Sequence, residues 1–351
     1  MNKDTTQTVV KRESKNSIRV EFDRTPLIDR IRAKYFSLYF LKKAAWYIFR
    51  LLFLIGIAYI VLYPFIYKIS ASFMSPSDFD DVTVSLIPRS PTLNTYKAII
   101  SENGYFKALG NTFLLAGSCA ILQTFVCCII GYGFAKFKFK GNKILFALVI
   151  FTMVVPHTTL KLALQYEFRN FDILGIFNFL GGGVIEGINI LDETYVRLNN
   201  TFWPLWILSA TGLAFKNGLY IYMFRQYFKG VPDELEESAY VDGSGVFKTF
   251  VKIILPMAIP MLVTVFLFSF SWQWTDNFYT SLFFTTSGTK LMNSIIEVPK
   301  SLLVNLPTAA DQYQNAIRNT CGLLIIAPLV IIYVFAQKFL IQGIERTGIT
   351  G

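Results

Sequence analysis

Between Pro232 and Pro260 the chain sets four carboxylates, Asp233, Glu234, Glu236 and Glu237, ahead of Gly243 and two lysines, in a stretch flanked by long apolar runs. Four acids in five positions at a helix start complement the partial positive charge of its first turn, and Pro232 suits that turn. Gly243 permits a backbone reversal, so the stretch predicts two short helices broken there. The second places Val246, Phe247, Phe250, Val251 and Ile254 on one face, with Lys248 and Lys252 away from it, before Pro256 and Pro260 open the next apolar run. An ordered polar insert of this kind is expected to be a docking interface.

Residue types that would carry catalysis are scarce. The only histidine, His157, follows Pro156 at the end of an apolar run, so neither a His-based metal cluster nor a Ser/His/Asp set can be assembled. No GxxxxGK[ST] phosphate loop is present. Cys119, Cys127, Cys128 and Cys321 lie inside apolar runs without metal-ligand spacing and read as small packing residues. The chain is therefore expected not to be an enzyme.

The elements that position these residues belong to a membrane protein: 53% of the 351 residues are apolar, 16% aromatic and only 16% charged. Runs long enough for ~30 Å of hydrocarbon occur around 46–68, 111–135, 144–163, 202–224, 257–275 and 319–340, predicting an all-α fold of about six spans. Pro156 and Lys216 interrupt the third and fourth runs. Residues 1–45 hold eleven Lys/Arg against five Asp/Glu, and Lys136, Lys138, Lys140 and Lys143 follow the second run. Positive charge stays inside, so both termini and the 229–256 loop are expected in the cytoplasm, with 70–108, 164–200 and 276–318 outside. This placement accounts for a pI of 9.3 without nucleic acid. No signal-peptide pattern precedes the first run; residues 1–25 read as disordered, and Leu27–Lys43 as either an interfacial helix or a solvated basic tail. The domains predicted are a basic tail over 1–45, a transmembrane region over 46–340 and a cytoplasmic tail over 341–351.

The loop residues Glu237, Ser238, Ala239, Asp242, Gly243, Ile253, Leu255 and Pro256 resemble the cytoplasmic Glu-Ala-Ala signature of ABC-importer permeases, with Ser238 where that family usually has Ala. From about residue 50 onward the chain is similar to the second permease of carbohydrate-type, maltose-permease-like importers. The segments that carry the likeness are YPFIYKISASF (63–73), PTLNTYKAI (91–99), GNTFLLAGS (110–118), YGFAKFKFKGNK (132–143), FRQYFKGVPDELEESAYVDG (224–243) and QKFLIQGIERTGITG (337–351). In 132–143 Lys136 replaces the family's Arg. Segment 164–200 looks longer than the family's usual connection.

The resemblance implies a heterodimer with a second permease, two ATPase subunits that hold ATP and Mg, an extracellular solute-binding protein, and a carbohydrate, expected to be an oligosaccharide, as cargo among membrane lipids. It implies ATPase coupling by Glu234, Glu237, Ser238, Ala239, Asp242, Gly243, Leu255 and Pro256, with Glu237 pairing a basic residue of the ATPase. The tail residues Gln342, Gly343, Gly348 and Gly351 are expected to reach the same partner. Aromatic faces and polar groups in SWQWTDNFYTSLFF (271–284) suit a sugar, which makes Gln273, Trp274, Asp276 and Asn277 candidate path residues. Three other readings stay open at this level: an ABC importer for another solute, a secondary transporter working alone, and a membrane-embedded sugar-processing enzyme.

Overall fold

The structure is a computed structural model that describes residues 38–172, 176, 196–285, 288–304 and 306–348. It divides into two units, residues 1–66 and 67–351. In chain order the helices are α1 (Leu38–Ala71), α2 (Pro76–Asp80), α3 (Asn94–Glu102), α4 (Tyr105–Lys136), α5 (Asn142–Val154), α6 (Lys161–Arg169), α7 (Trp203–Ala210), α8 (Asn217–Lys229), α9 (Glu234–Val241), α10 (Val246–Thr249), α11 (Leu255–Met257), α12 (Ile259–Trp274), α13 (Phe278–Phe283) and α14 (Ala310–Gly348). No named strand occurs among the described residues, only an antiparallel bridge between Phe171 and Val196.

Among the described residues three helices are long and apolar enough to cross a membrane, and up to five spans result if each bent pair counts as one. The expected six differ from this for local reasons. Val155 and Pro156 leave helical geometry, so the third run turns by 92° from α5 into the His157–Arg169 segment instead of continuing to 163. The fourth run splits into α7 and α8, eight and thirteen residues long, around Gly212 (φ 78°) and Lys216 (φ 71°). A 74° bend separates the Val246–Met257 segment from α12.

α4 is the hub of the second unit. Its 32 residues bury small and polar side chains on faces that meet α7, α8 and α12. Close approach to α8 needs Gly131, where a Cβ would stand 2.5 Å from Phe224 Cβ and 3.0 Å from the Arg225 nitrogen. Small residues at such crossings let backbones approach where lipid supplies no hydrophobic drive. The four cysteines are buried and free, as packing residues would be. Near the N-terminal end of α4, Asn111 donates its amide to the Lys290 carbonyl (2.9 Å) and Thr112 Oγ1 accepts from the Met292 N–H (2.9 Å). The Asn-Thr pair at 111–112 thus ties α4 to the 276–318 connection.

Candidate functional site

The 229–256 loop folds as a helical reversal on a buried base. α9 ends at Asp242, Gly243 takes φ 78°, and the Ser244 N–H returns to the Ala239 carbonyl at 2.9 Å. A Cβ at Gly243 would meet no atom within 4 Å, so the glycine answers a backbone demand and not a packing one. Glu234, Glu237, Ser238, Asp242 and Pro256 are exposed, Leu255 is half-buried, and Ala239 packs inward. The single apolar face expected for 246–254 is not formed. Phe250 and Ile254 are buried, whereas Val246, Phe247 and Val251 are exposed, Phe247 at 80%. The cause is a π-helical turn over Phe250–Ile254, which shifts the register from 3.6 residues per turn.

Lys136, in the last turn of α4, fastens this loop. Its side chain is only 5% exposed; Nζ donates to the Val231 carbonyl and to Asp233 Oδ1, both at 2.6 Å, and lies 3.8 Å from Glu236 Oε1. The Lys136 charge and hydrogen bond hold the Asp233 carboxyl below its ordinary range. Burial pushes Glu236 the other way, up from the usual glutamate value, against the opposing pull of Lys136. Of the four acids, then, buried Glu236 and exposed Asp233 both engage Lys136, and Glu234 and Glu237 face out. The Tyr132 ring meets Phe250 at 4.6 Å and Phe228 at 5.4 Å, which closes the base with aromatic contacts. Sequence reasoning singled out Lys136 only as a replacement for Arg; the carboxylates three positions apart at 233 and 236 were the signal for its partners.

The four path residues part company. Trp274 is a core residue: it is 3% exposed and donates Nε1–H to the Ile325 carbonyl of α14 at 2.9 Å. Asp276 caps α13, its carboxylate accepting from the N–H groups of Tyr279 (3.3 Å) and Thr280 (2.8 Å). Asn277 is exposed and its Oδ1 accepts from Asn293 at 3.4 Å. Gln273 lines a small void with Gln123, Phe215, Ser269, Trp272, Asp276 and Tyr279, and its buried Nε2 has no hydrogen-bond partner among the described residues.

Phe215 and Tyr279 also border a larger cavity of about 730 Å³ at the break between α7 and α8. His157 Nδ1 lies 2.9 Å from the Tyr279 hydroxyl there, and the imidazole packs edge-on to Phe215 with centroids 4.2 Å apart. Lys216 Nζ sits 4.5 Å from the Phe215 centroid and 4.6 Å from that of Trp272. The lysine interrupting the fourth apolar run was the sequence signal for this cavity, and its role there went unread. Deeper in, the Gln123 amide is fully engaged, donating to Ser209 Oγ (3.2 Å) and accepting from Ser269 Oγ (2.8 Å).

Gln342, Gly343 and Gly348 fall in the last turns of α14, and Gly351 lies outside the described residues, as do residues 1–37 and 177–195. Of the segment expected over Leu27–Lys43 only residues 38–43 are described, as the start of α1, and most of segment 164–200 lies outside the described residues. The base of 164–200 is described: Phe171 and Val196 exchange both backbone hydrogen bonds, at 3.1 and 3.0 Å. No grouping of three metal-binding side chains occurs among the described residues.

Comparison with known proteins accounts for this arrangement. The chain is 28% identical over 260 residues to the alpha-glucoside transport system permease protein AglG of Rhizobium meliloti (strain 1021), covering 74% of this chain and 60% of AglG. It is 26% identical over 298 residues to the arabinooligosaccharides transport system permease protein AraQ of Halalkalibacterium halodurans, covering 84% of this chain and 93% of AraQ. Its fold matches a chain in the crystal structure of a bacterial ABC transporter involved in the import of the acidic polysaccharide alginate, with a TM-score of 0.61 and 18% identity, covering 85% of this chain and 97% of that one. Residues 128–346, well over half the chain and including the whole 229–256 loop, match the model of one family. The protein belongs to the binding-protein-dependent transport system inner membrane components, the permeases that carry solutes across the membrane for a separate binding protein.

Proposed function

We propose that this chain is one of two permease subunits of an ATP-driven importer for a carbohydrate, with an oligosaccharide as cargo. Relatives named for alpha-glucoside and arabinooligosaccharide transport support the saccharide class. Six spans with both termini cytoplasmic fit the positive-inside distribution, if α5 with the segment after it and α7 with α8 each count as one crossing. ATP and its magnesium ion then belong to two partner ATPase subunits, and an extracellular binding protein delivers the sugar. Segment 164–200 would form part of that protein's docking surface.

One observation carries the coupling role. Around Gly243 the loop exposes Val241 (88%), Phe247 and Glu237, while Ala239, Phe250 and Ile254 are rooted in the membrane unit. A rooted knob with apolar and acidic tips is suited to a groove on a partner, and it transmits motion because its base cannot slip. Glu237 would then pair a basic residue of the ATPase, with the α14 tail as a second contact. Purification of the assembled importer in mild detergent tests this: ATPase subunits accompany the wild-type chain and are lost with Phe247→Asp. Recovery of the chain alone, or unaltered recovery of ATPase with that variant, would overturn the reading.

A further inference from the structure

We propose that the cavity between α7 and α8 binds a saccharide that carries a carboxylate, and that Lys216 is the residue that meets it; this rests on the carbohydrate reading above. Lys216 stands immediately before α8, about 20 Å along the helix from Lys229, and lines the cavity itself. A half-buried cation beside a largely apolar cavity of a membrane protein calls for a counter-charge. Among the described residues no carboxylate lies within 4.0 Å of Lys216, because the ion pairs there join only Arg89 to Asp81 and Lys136 to Asp233 and Glu236. Asp276, the acid of the adjoining void, is engaged by the N–H groups of Tyr279 and Thr280. The lysine instead faces the rings of Phe215 and Trp272.

Three further features fit an acidic sugar. The cavity has the volume of a small-ligand site, and the aromatic sides of Phe215 and Tyr279 suit the apolar face of a pyranose. Tyr279 with His157, and the unpartnered Gln273 amide in the void alongside, supply hydroxyl-directed hydrogen bonding. Lys216 also holds φ 71°, a left-handed conformation that suits Asn or Gly better, so a lysine stands where local backbone preference argues against one. An ammonium can donate to a sugar hydroxyl, but with a carboxylate it gains a charge-assisted bond that a neutral sugar does not offer.

The test uses the complete importer, with its ATPases and binding protein, in lipid vesicles. Uptake is compared for disaccharides of galacturonate, mannuronate and guluronate and for their neutral counterparts. At least one uronate is expected to be preferred over its neutral counterpart by about tenfold in kcat/KM. Lys216→Asn, which suits the left-handed backbone, removes that preference, and Lys216→Arg keeps it. Preference for neutral sugars in the wild type overturns this proposal and leaves the carbohydrate reading standing. So does a uronate preference that survives in Lys216→Asn. Uptake of neither class overturns both. If Lys216→Asn does not assemble, the wild-type preference and the Arg variant decide the matter.

Discussion

Lys136 and Lys216 lie towards opposite ends of α8, and the protein treats them in opposite ways. Lys136 is enclosed by a carbonyl and two carboxylates, a network that closes on itself. Lys216 has rings beside it and a cavity in front of it, with an unpartnered amide close by at Gln273. Two short hydrogen bonds, to the Val231 carbonyl and Asp233, hold Lys136 in place, and Glu236 adds a looser ion pair at 3.8 Å. An unsatisfied site costs stability until something arrives to complete it, which is what a binding site needs. The same kind of side chain thus marks rigidity at one site and receptivity at the other.

The contrast is broken most severely at Lys136. Lys136→Ala leaves Glu236 buried without its cation and is expected to destabilise the purified complex by ~3–5 kcal/mol, read as a lowered Tm, with loss of uptake. Gly131→Ala drives a methyl into Phe224 and tests how rigid the α4–α8 crossing is; the expected cost is ~1–3 kcal/mol by thermal unfolding. Gly243→Val meets no neighbour but cannot hold φ 78° comfortably, at a cost of ~1–2 kcal/mol confined to the loop. Transport should fail with Val and persist with Asn, and normal uptake in the Val variant would show that the reversal is dispensable.

The pH response sharpens the comparison further. Glu236 has a folded pKa above its unfolded value, so its contribution is full below the ordinary 4.5 and is lost as pH rises through the raised value. Asp233 works in reverse: its contribution is present above the ordinary 3.8 and is lost as pH falls through the lowered value. Glu236→Gln should flatten the decline of Tm on the alkaline side of 4.5 and leave the acid limb intact. The smallest effect is expected at Lys216→Asn, within about 0.5 kcal/mol of wild-type stability, because no network there depends on the charge. A loss as large as that at Lys136 would erase the distinction between the two lysines.

The 229–256 loop was legible because its signals are local. Acids at a helix start and a glycine at a reversal act over a few residues, and the structure keeps the break at Gly243. The apolar face was misread because a single π turn at 250–254 changes the period that sequence patterning assumes. The fourth run looked like one span because hydropathy averages over Gly212 and Lys216, whose left-handed backbones divide it. Trp274 and Asp276 were taken for path residues on composition alone. Their partners, the Ile325 carbonyl and the first turn of α13, are set by tertiary placement or by a cap that a run of aromatics conceals.

The bridge between Phe171 and Val196 fixes where the intervening segment leaves the second unit and where it returns, with Phe171 stacked on Phe168 at 5.8 Å beneath it. Once both ends of a segment are pinned, doubling the length between them costs only ~0.6 kcal/mol in closure entropy. The enclosed sequence is therefore free to be lengthened, shortened or exchanged while the helices below keep their registry. Whatever that segment contacts can diverge at a pace of its own, independent of the helices it leaves and rejoins.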